Sequence, residues 1–120
     1  MDVEAAVLPV EQAETYAGWF RALADGRRVQ ILNLLAEHGG SMTVGQIVDR
    51  VAVGQSTVSH HLKILTEARF VLVERRGTAR LYRVNQACLT CFPTAADVVM
   101  GRHPVGFAQV GDAACAQEGP

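Results

Sequence analysis

Cys88 and Cys91 stand two residues apart in QACLTCFP, and Cys115 follows in DAACAQ. A Cys-x-x-Cys spacing lets two sulfurs converge on one ion where the backbone turns between them, and Pro93 just beyond helps hold such a turn. Cys115 lies in a glycine-rich tail that can fold back within one chain or reach across to a second copy. Soft thiolates select thiophilic ions. Three sulfurs suit As(III), which takes three thiolates in a pyramid, and Hg(II), which takes two or three; Cu(I), Cd(II) and Pb(II) share the preference. Zn(II) generally takes four ligands and here needs His103 or a carboxylate as the fourth. Three other chemistries stay open for the same region. A cysteine can be a small buried hydrophobe, Cys-x-x-Cys can be a redox switch in which a disulfide replaces the ion, and His103 with Asp97 and Glu118 offers a harder site for Zn(II) or Ni(II).

A second stretch, QSTVSHHLKIL at 55–65, is built like a helix but keeps Gln55, Ser56, Thr57, Ser59, His60 and Lys63 outside an apolar stripe of Val58, Leu62 and Leu65. Its wet face carries hydrogen-bonding groups with little fixed charge, which suits contact better than mere solubility. The charge distribution points the same way. The whole chain carries −1, yet residues 50–83 hold seven cationic side chains against Glu67 and Glu74. A basic middle between acidic flanks marks a surface for a polyanion.

These residues need elements to hold them. The chain has 120 residues, 49% apolar and 19% charged, which fits one small domain that gains by pairing with a copy of itself. No run approaches the roughly 18 apolar residues of a membrane span, and the acidic start MDVEAAVLPVEQAE lacks the basic region of a signal peptide. A cytoplasmic location is expected, where thiols stay reduced. Residues 1–10 read as a flexible arm and 101–120 as a flexible tail carrying the third thiol; residues 11–100 read as the domain. Helical spacing runs from Glu11 to Leu23 and again from Arg27 to Glu37, the latter capped by Asp25 and offering Val29, Ile31, Leu32, Leu34 and Leu35 to the core. Gly39-Gly40 ends it, Thr43 opens a short helix with Val44, Ile47 and Val48 facing in, and Val53-Gly54 turns the chain into the 55–65 helix. Phe70–Val73 and Leu81–Val84 flank Arg76-Gly77-Thr78 as a hairpin, and a last apolar helix is expected over Pro93–Met100.

That order, mainly α with one small β-hairpin, is a winged helix-turn-helix. In such a fold the second helix of the turn enters the DNA major groove. Gln55, Ser56, Thr57, Ser59 and His60 can then serve bases and phosphates, Lys63 a phosphate, and Arg75, Arg76 and Arg80 the neighbouring backbone or minor groove.

The stretch FRALADGRRVQILNLL…VGQSTVSHHLKILTEARFVLVERRGTARLYRV, with A-L-A-D-x-x-R at Ala22–Arg28, resembles the ArsR/SmtB family of bacterial metal-sensing repressors over about residues 16–100. The resemblance implies a homodimer joined through the first and last helices, repression in the metal-free form at an inverted-repeat operator, and release when an inducer binds. Two positions depart from the family's pattern. Arg69 stands where glycine usually follows the recognition helix, so a different entry to the wing is expected. The frequent cysteine box at the start of the third helix is absent from GGSMTVGQIV, so an inducer site on that helix is excluded and sensing has to be argued from other residues.

An enzyme using Cys91 as nucleophile finds no support: there is no glycine-rich phosphate loop and no acid–base pair beside a thiol. No organic cofactor is expected. A module whose basic wing binds protein or anionic lipid is the remaining class, separable from a repressor by a salt-dependent gel shift.

Overall fold

The computed structural model describes residues 7–102. Cys115, His103 and Glu118 lie outside them, as do most of the expected arm and tail. The elements are α1 (Val10–Ala22), α2 (Gly26–His38), α3 (Val44–Val48), α4 (Gln55–Glu67), β1 (Val71–Arg76), β2 (Ala79–Val84) and α5 (Cys88–Val99).

Local chemistry sets most of the boundaries. Asp25 caps α2 by accepting from the Arg27 and Arg28 N–H groups at 2.9 and 3.3 Å, and Gly39 ends it in the left-handed region at φ 78°. Thr43 and Gln46 form a capping box at α3. The α3–α4 turn takes its left-handed residue just before Val53-Gly54. Its left-handed position is Ala52, at φ 43°, whereas Gly54 has an ordinary extended φ of −73°.

The hairpin is antiparallel with Val71 opposite Val84 and Arg76 opposite Ala79, leaving the two-residue loop Gly77-Thr78. Gly77 at φ 60° supplies the positive φ that a type II′ loop needs at its first position. Met42, just before α3, exchanges two 2.8 Å backbone hydrogen bonds with Tyr82 and so covers the free edge of β2.

Ile31, Leu35, Ile47, Val58, Leu62, Leu65 and Val71 form the fully buried centre under α2, α3, α4 and the hairpin base. Val29, expected to face this core, is half exposed. A second cluster of Tyr16, Ala95 and Val98 joins α1 to α5. Trp19 packs against both clusters, and the Phe92 ring lies 5.5 Å from Phe20 and 5.4 Å from Phe70.

The last helix corrects the expected Pro93–Met100 span. It begins at Cys88, with the Cys88 N–H bonded to Asn85 O at 3.0 Å, and it carries Pro93 in its interior. Proline removes the hydrogen bond to the Leu89 carbonyl, which ordinarily breaks a helix. Here Pro93 is exposed, so water can serve that carbonyl. Cys91, Ala95 and Val98 bury the opposite face, and that burial keeps the helix continuous.

Candidate nucleic-acid interface and thiol pair

Gln55, Ser56, Thr57, Ser59, His60 and Lys63 are all exposed along α4, and Arg75, Arg76 and Arg80 are exposed on the hairpin. The fold brings Arg80 of the hairpin beside Gln55, Ser56, Ser59, His60 and Lys63 of α4. A cleft between α4 and the hairpin is lined by Ser56, Ser59, His60, Lys63, Arg80 and Tyr82. A neighbouring depression joins Gln55 and Ser59 to Thr43, Gly45, Thr78 and Arg80. Thr43, Gly45 and Thr78 had no expected part in this surface; the place of Thr43 and Gly45 on it follows from α3 lying against α4 and β2.

Arg75 stands directly opposite Arg80 in the hairpin register. Like charges in that position oppose pairing, and a polyanion beside them removes the cost. Arg76 is held by Glu74, with Nη2 3.3 Å from Oε2.

His61 is the functional residue the sequence reading left without a task. It is 8% exposed on the inner side of α4, and Arg28 Nη1 lies 3.3 Å from its Nδ1. A guanidinium can only donate, so in this contact Nδ1 is the acceptor. The ring's Nε2 lies 4.0 Å from Asp25 Oδ1. Arg28 Nε also donates to the Ala22 carbonyl at 2.6 Å. The A-L-A-D-x-x-R segment therefore fastens the end of α1 and the start of α2 to the middle of the recognition helix. The Asp25 carboxyl is held below its usual range, chiefly by the Arg28 backbone N–H against some desolvation, with the Arg27 N–H and the Arg28 charge adding to it.

The exit of α4 is a Schellman motif: Phe70 N–H bonds Leu65 O and Arg69 N–H bonds Thr66 O, both at 3.0 Å. Arg69 occupies the left-handed position at φ 69°. The entry to the wing thus keeps the conformation glycine would give, with an arginine bearing the strain.

Cys88 and Cys91 fall on the first turn of α5, at the i, i+3 spacing that puts two side chains on one face. Cys88 is half-buried, its thiol donates to the Arg69 carbonyl at 3.2 Å, and it lines an apolar cavity of about 300 Å³ with Leu32, Phe70, Val84 and Phe92. Cys91 is 4% exposed and disulfide-bonded in the structure, in contrast to the reduced state expected from the sequence. Two sulfurs on one helical turn with an apolar surround fit a soft ion better than a hard one. Among the described residues no group of three or more His, Cys, Asp or Glu is assembled to hold a metal. The third thiol, Cys115, and two members of the harder set, His103 and Glu118, lie outside them. Asp97, the remaining member of that set, pairs with Arg102 at 3.8 Å. Among the described residues no helix is long and apolar enough to cross a membrane.

Comparison with known proteins agrees with this geometry. The family model described as bacterial regulatory protein, arsR family, matches residues 25–72, from the cap of α2 to the start of β1. The arsenical resistance operon repressor of Bacillus subtilis is 36% identical over 75 residues, covering 62% of this chain and 70% of that protein. A probable mercury resistance operon repressor of Streptomyces lividans is 33% identical over 95 residues, 79% of this chain and 70% of the relative. The solution structure of a homodimeric winged helix-turn-helix DNA-binding domain from Mycobacterium bovis, a possible ArsR-family regulator, superposes with a TM-score of 0.64 at 29% identity, covering 85% of this chain and 93% of that one. The chain belongs to the arsR family of bacterial regulatory proteins and is a winged helix-turn-helix DNA-binding transcriptional regulator rather than an enzyme.

Proposed function

We propose that the chain is a homodimeric repressor that lets go of its operator when a thiophilic ion, As(III) or Hg(II), is captured by Cys88, Cys91 and Cys115. The observation that carries this reading is the pairing of Cys88 and Cys91 on the first turn of α5, where the helix leaves the wing. The relatives named for arsenical and mercury resistance support the ion class. Val10 and Phe20 on α1 and Val99 and Met100 at the end of α5 expose apolar surface that a second copy would cover, and the homodimeric neighbour supports such a pairing. In the dimer two α4 helices lie about one DNA turn apart on an inverted repeat, reading it with Gln55, Ser56, Thr57, Ser59 and His60, while Lys63, Arg75, Arg76 and Arg80 hold phosphates. Ion capture draws the tail onto α5 and turns the two reading heads relative to each other. A coupling of about 1–3 kcal/mol weakens operator binding roughly 5- to 150-fold, enough to start transcription.

The disulfide on Cys91 favours a second reading, in which oxidation takes the place of the ion. One titration separates the two. Reduced protein on its own promoter fragment is challenged with arsenite, Hg(II), Cd(II), Cu(I), Zn(II), Ni(II) and peroxide. Release by arsenite or Hg(II) at low stoichiometry, lost in Cys88→Ser and in Cys91→Ser, supports the thiolate sensor. Release by peroxide alone assigns the cysteines to a redox switch. Release by Zn(II) or Ni(II) alone overturns the thiolate reading and directs attention to His103, Asp97 and Glu118.

A further inference from the structure

Asn85 is 0% exposed, and every polar group it owns joins the exit of the recognition helix to the entry of α5. Its Nδ2 donates to the Arg69 carbonyl at 2.8 Å, and its backbone N–H donates to the Phe70 carbonyl at 2.8 Å. Its Oδ1 accepts from the Ala87 N–H at 3.1 Å, and its carbonyl accepts from the Cys88 N–H at 3.0 Å. The Cys88 thiol donates to the same Arg69 carbonyl at 3.2 Å. One oxygen, at the strained left-handed residue that closes the Schellman motif of α4, is therefore held by two donors from the α5 side.

We infer that Asn85 is a positioning residue for operator reading, and that with the Cys88 thiol it forms a two-donor clamp on the Arg69 carbonyl through which events at α5 reach the recognition helix. The second half rests on the thiolate reading above. When an ion binds Cys88 the S–H bond breaks, its proton passes to water, and an S–ion bond forms. The Arg69 carbonyl then loses one of its two donors while Asn85 keeps the other. A strained turn held by fewer bonds relaxes more easily, and the exit of α4 shifts with it. The inducer thus reaches the reading helix within a single protomer, in addition to any rotation between protomers.

The clamp can be tested without an ion. Cys88→Ser keeps a hydroxyl donor and Cys88→Ala keeps none. In the reduced, metal-free dimer, Cys88→Ala is expected to weaken operator binding about 2- to 10-fold, the span of one ordinary hydrogen bond, and Cys88→Ser to restore it. The carbonyl carbon shift of Arg69, read by NMR, is expected to move in Cys88→Ala and return in Cys88→Ser, a signature that general loss of packing does not give. Asn85→Asp replaces the amide donor by a carboxylate oxygen that repels the Arg69 carbonyl, and is expected to weaken binding more, about 5- to 50-fold. If Asn85→Asp does not fold, the two Cys88 variants still decide. An Arg69 shift unmoved in Cys88→Ala, or an operator affinity that Cys88→Ser fails to restore, overturns the clamp. Hg(II) titration of the unmodified chain is a separate arm. No Hg(II)-induced release together with a positive Cys88→Ala result removes the sensor reading and leaves the clamp standing.

Discussion

Replacing Arg69 by glycine should make this protein more stable, against the usual direction of substitutions in a folded chain. Arg69 sits at φ 69° as the residue just past α4, between the Arg69-to-Thr66 and Phe70-to-Leu65 hydrogen bonds of the Schellman motif. A side chain with a Cβ in that region costs roughly 1–2 kcal/mol. Glycine avoids the clash but has more freedom to lose from the unfolded chain, which returns about 0.5–1 kcal/mol of the gain. The bonds from Asn85 and Cys88 reach the carbonyl oxygen, not the side chain, so Arg69→Gly keeps them. The net expectation is a gain of about 1 kcal/mol, or roughly 4–8 °C in melting temperature for a domain of this size. Arg69→Ala is the control: it removes the guanidinium and keeps the strain. Thermal and denaturant melts at one fixed protein concentration measure both, because a dimer's midpoint moves with concentration. If Arg69→Gly melts no higher than Arg69→Ala, the left-handed strain at this turn is not real and the reasoning fails.

Lys63→Ala should weaken binding to every DNA sequence alike and lower the slope of log affinity against log salt by about 1, read from gel shifts across a salt series; an unchanged slope removes Lys63 from the phosphate contacts. His61→Phe keeps a ring inside α4 but removes the acceptor of Arg28 Nη1, so a stability loss of roughly 1–3 kcal/mol is expected in urea melts, and a neutral outcome would show that the Arg28–His61 contact does not fasten α4. The lowered Asp25 pKa gives a pH test. A depressed carboxylate stabilises the fold above its unfolded value of about 3.9 and loses that contribution as pH falls through the folded one. Asp25→Asn keeps a capping oxygen without the charge, so its deficit against the unmodified chain should be steady from about pH 7 to 5 and shrink below about pH 4; a deficit that persists in acid refutes the charge's role.

Much of this molecule was legible because periodicity and caps agree along most of it. Asp25, Gly39, Thr43 and Gly77 each appear where their chemistry predicts. The stripe of Val58, Leu62 and Leu65 also points to position 61, and a histidine there hides the signal because imidazole is as much at home on the wet face. Pro93 misled for a physical reason. Its local preference is strong, and only the tertiary burial of Cys91, Ala95 and Val98, invisible to a local reading, outweighs it. Ala52 carries no hint of a left-handed turn, which the helix-turn-helix geometry imposes on it. On the interface, exposure of the nine chosen side chains followed from helical spacing and the hairpin. The involvement of Thr43 and Gly45 required knowing that α3 lies against α4 and β2.

Three places break a local rule: Arg69 in a left-handed turn, Arg75 facing Arg80 across the hairpin, and Pro93 inside α5. Selection for stability alone would favour glycine at the first, an opposite charge at the second and an ordinary helix former at the third. Sequences tend to break such rules where function draws on the cost. The facing arginines lose their mutual repulsion against a polyanion, so that strain favours the DNA-bound state. The Arg69 turn is held by bonds from Asn85 and Cys88, so under the proposed clamp it is where the thiol bears on α4. Pro93 weakens the first turns of α5, the segment that carries both Cys88 and Cys91, by leaving the Leu89 carbonyl without its helical partner. Taken in chain order, the three mark the exit of the reading helix, the wing and the entry to the thiol-bearing helix. A path of marginal contacts from thiol to DNA is what the proposed ion-released repressor needs, since a rigid path would hold the operator whether or not the ion were present.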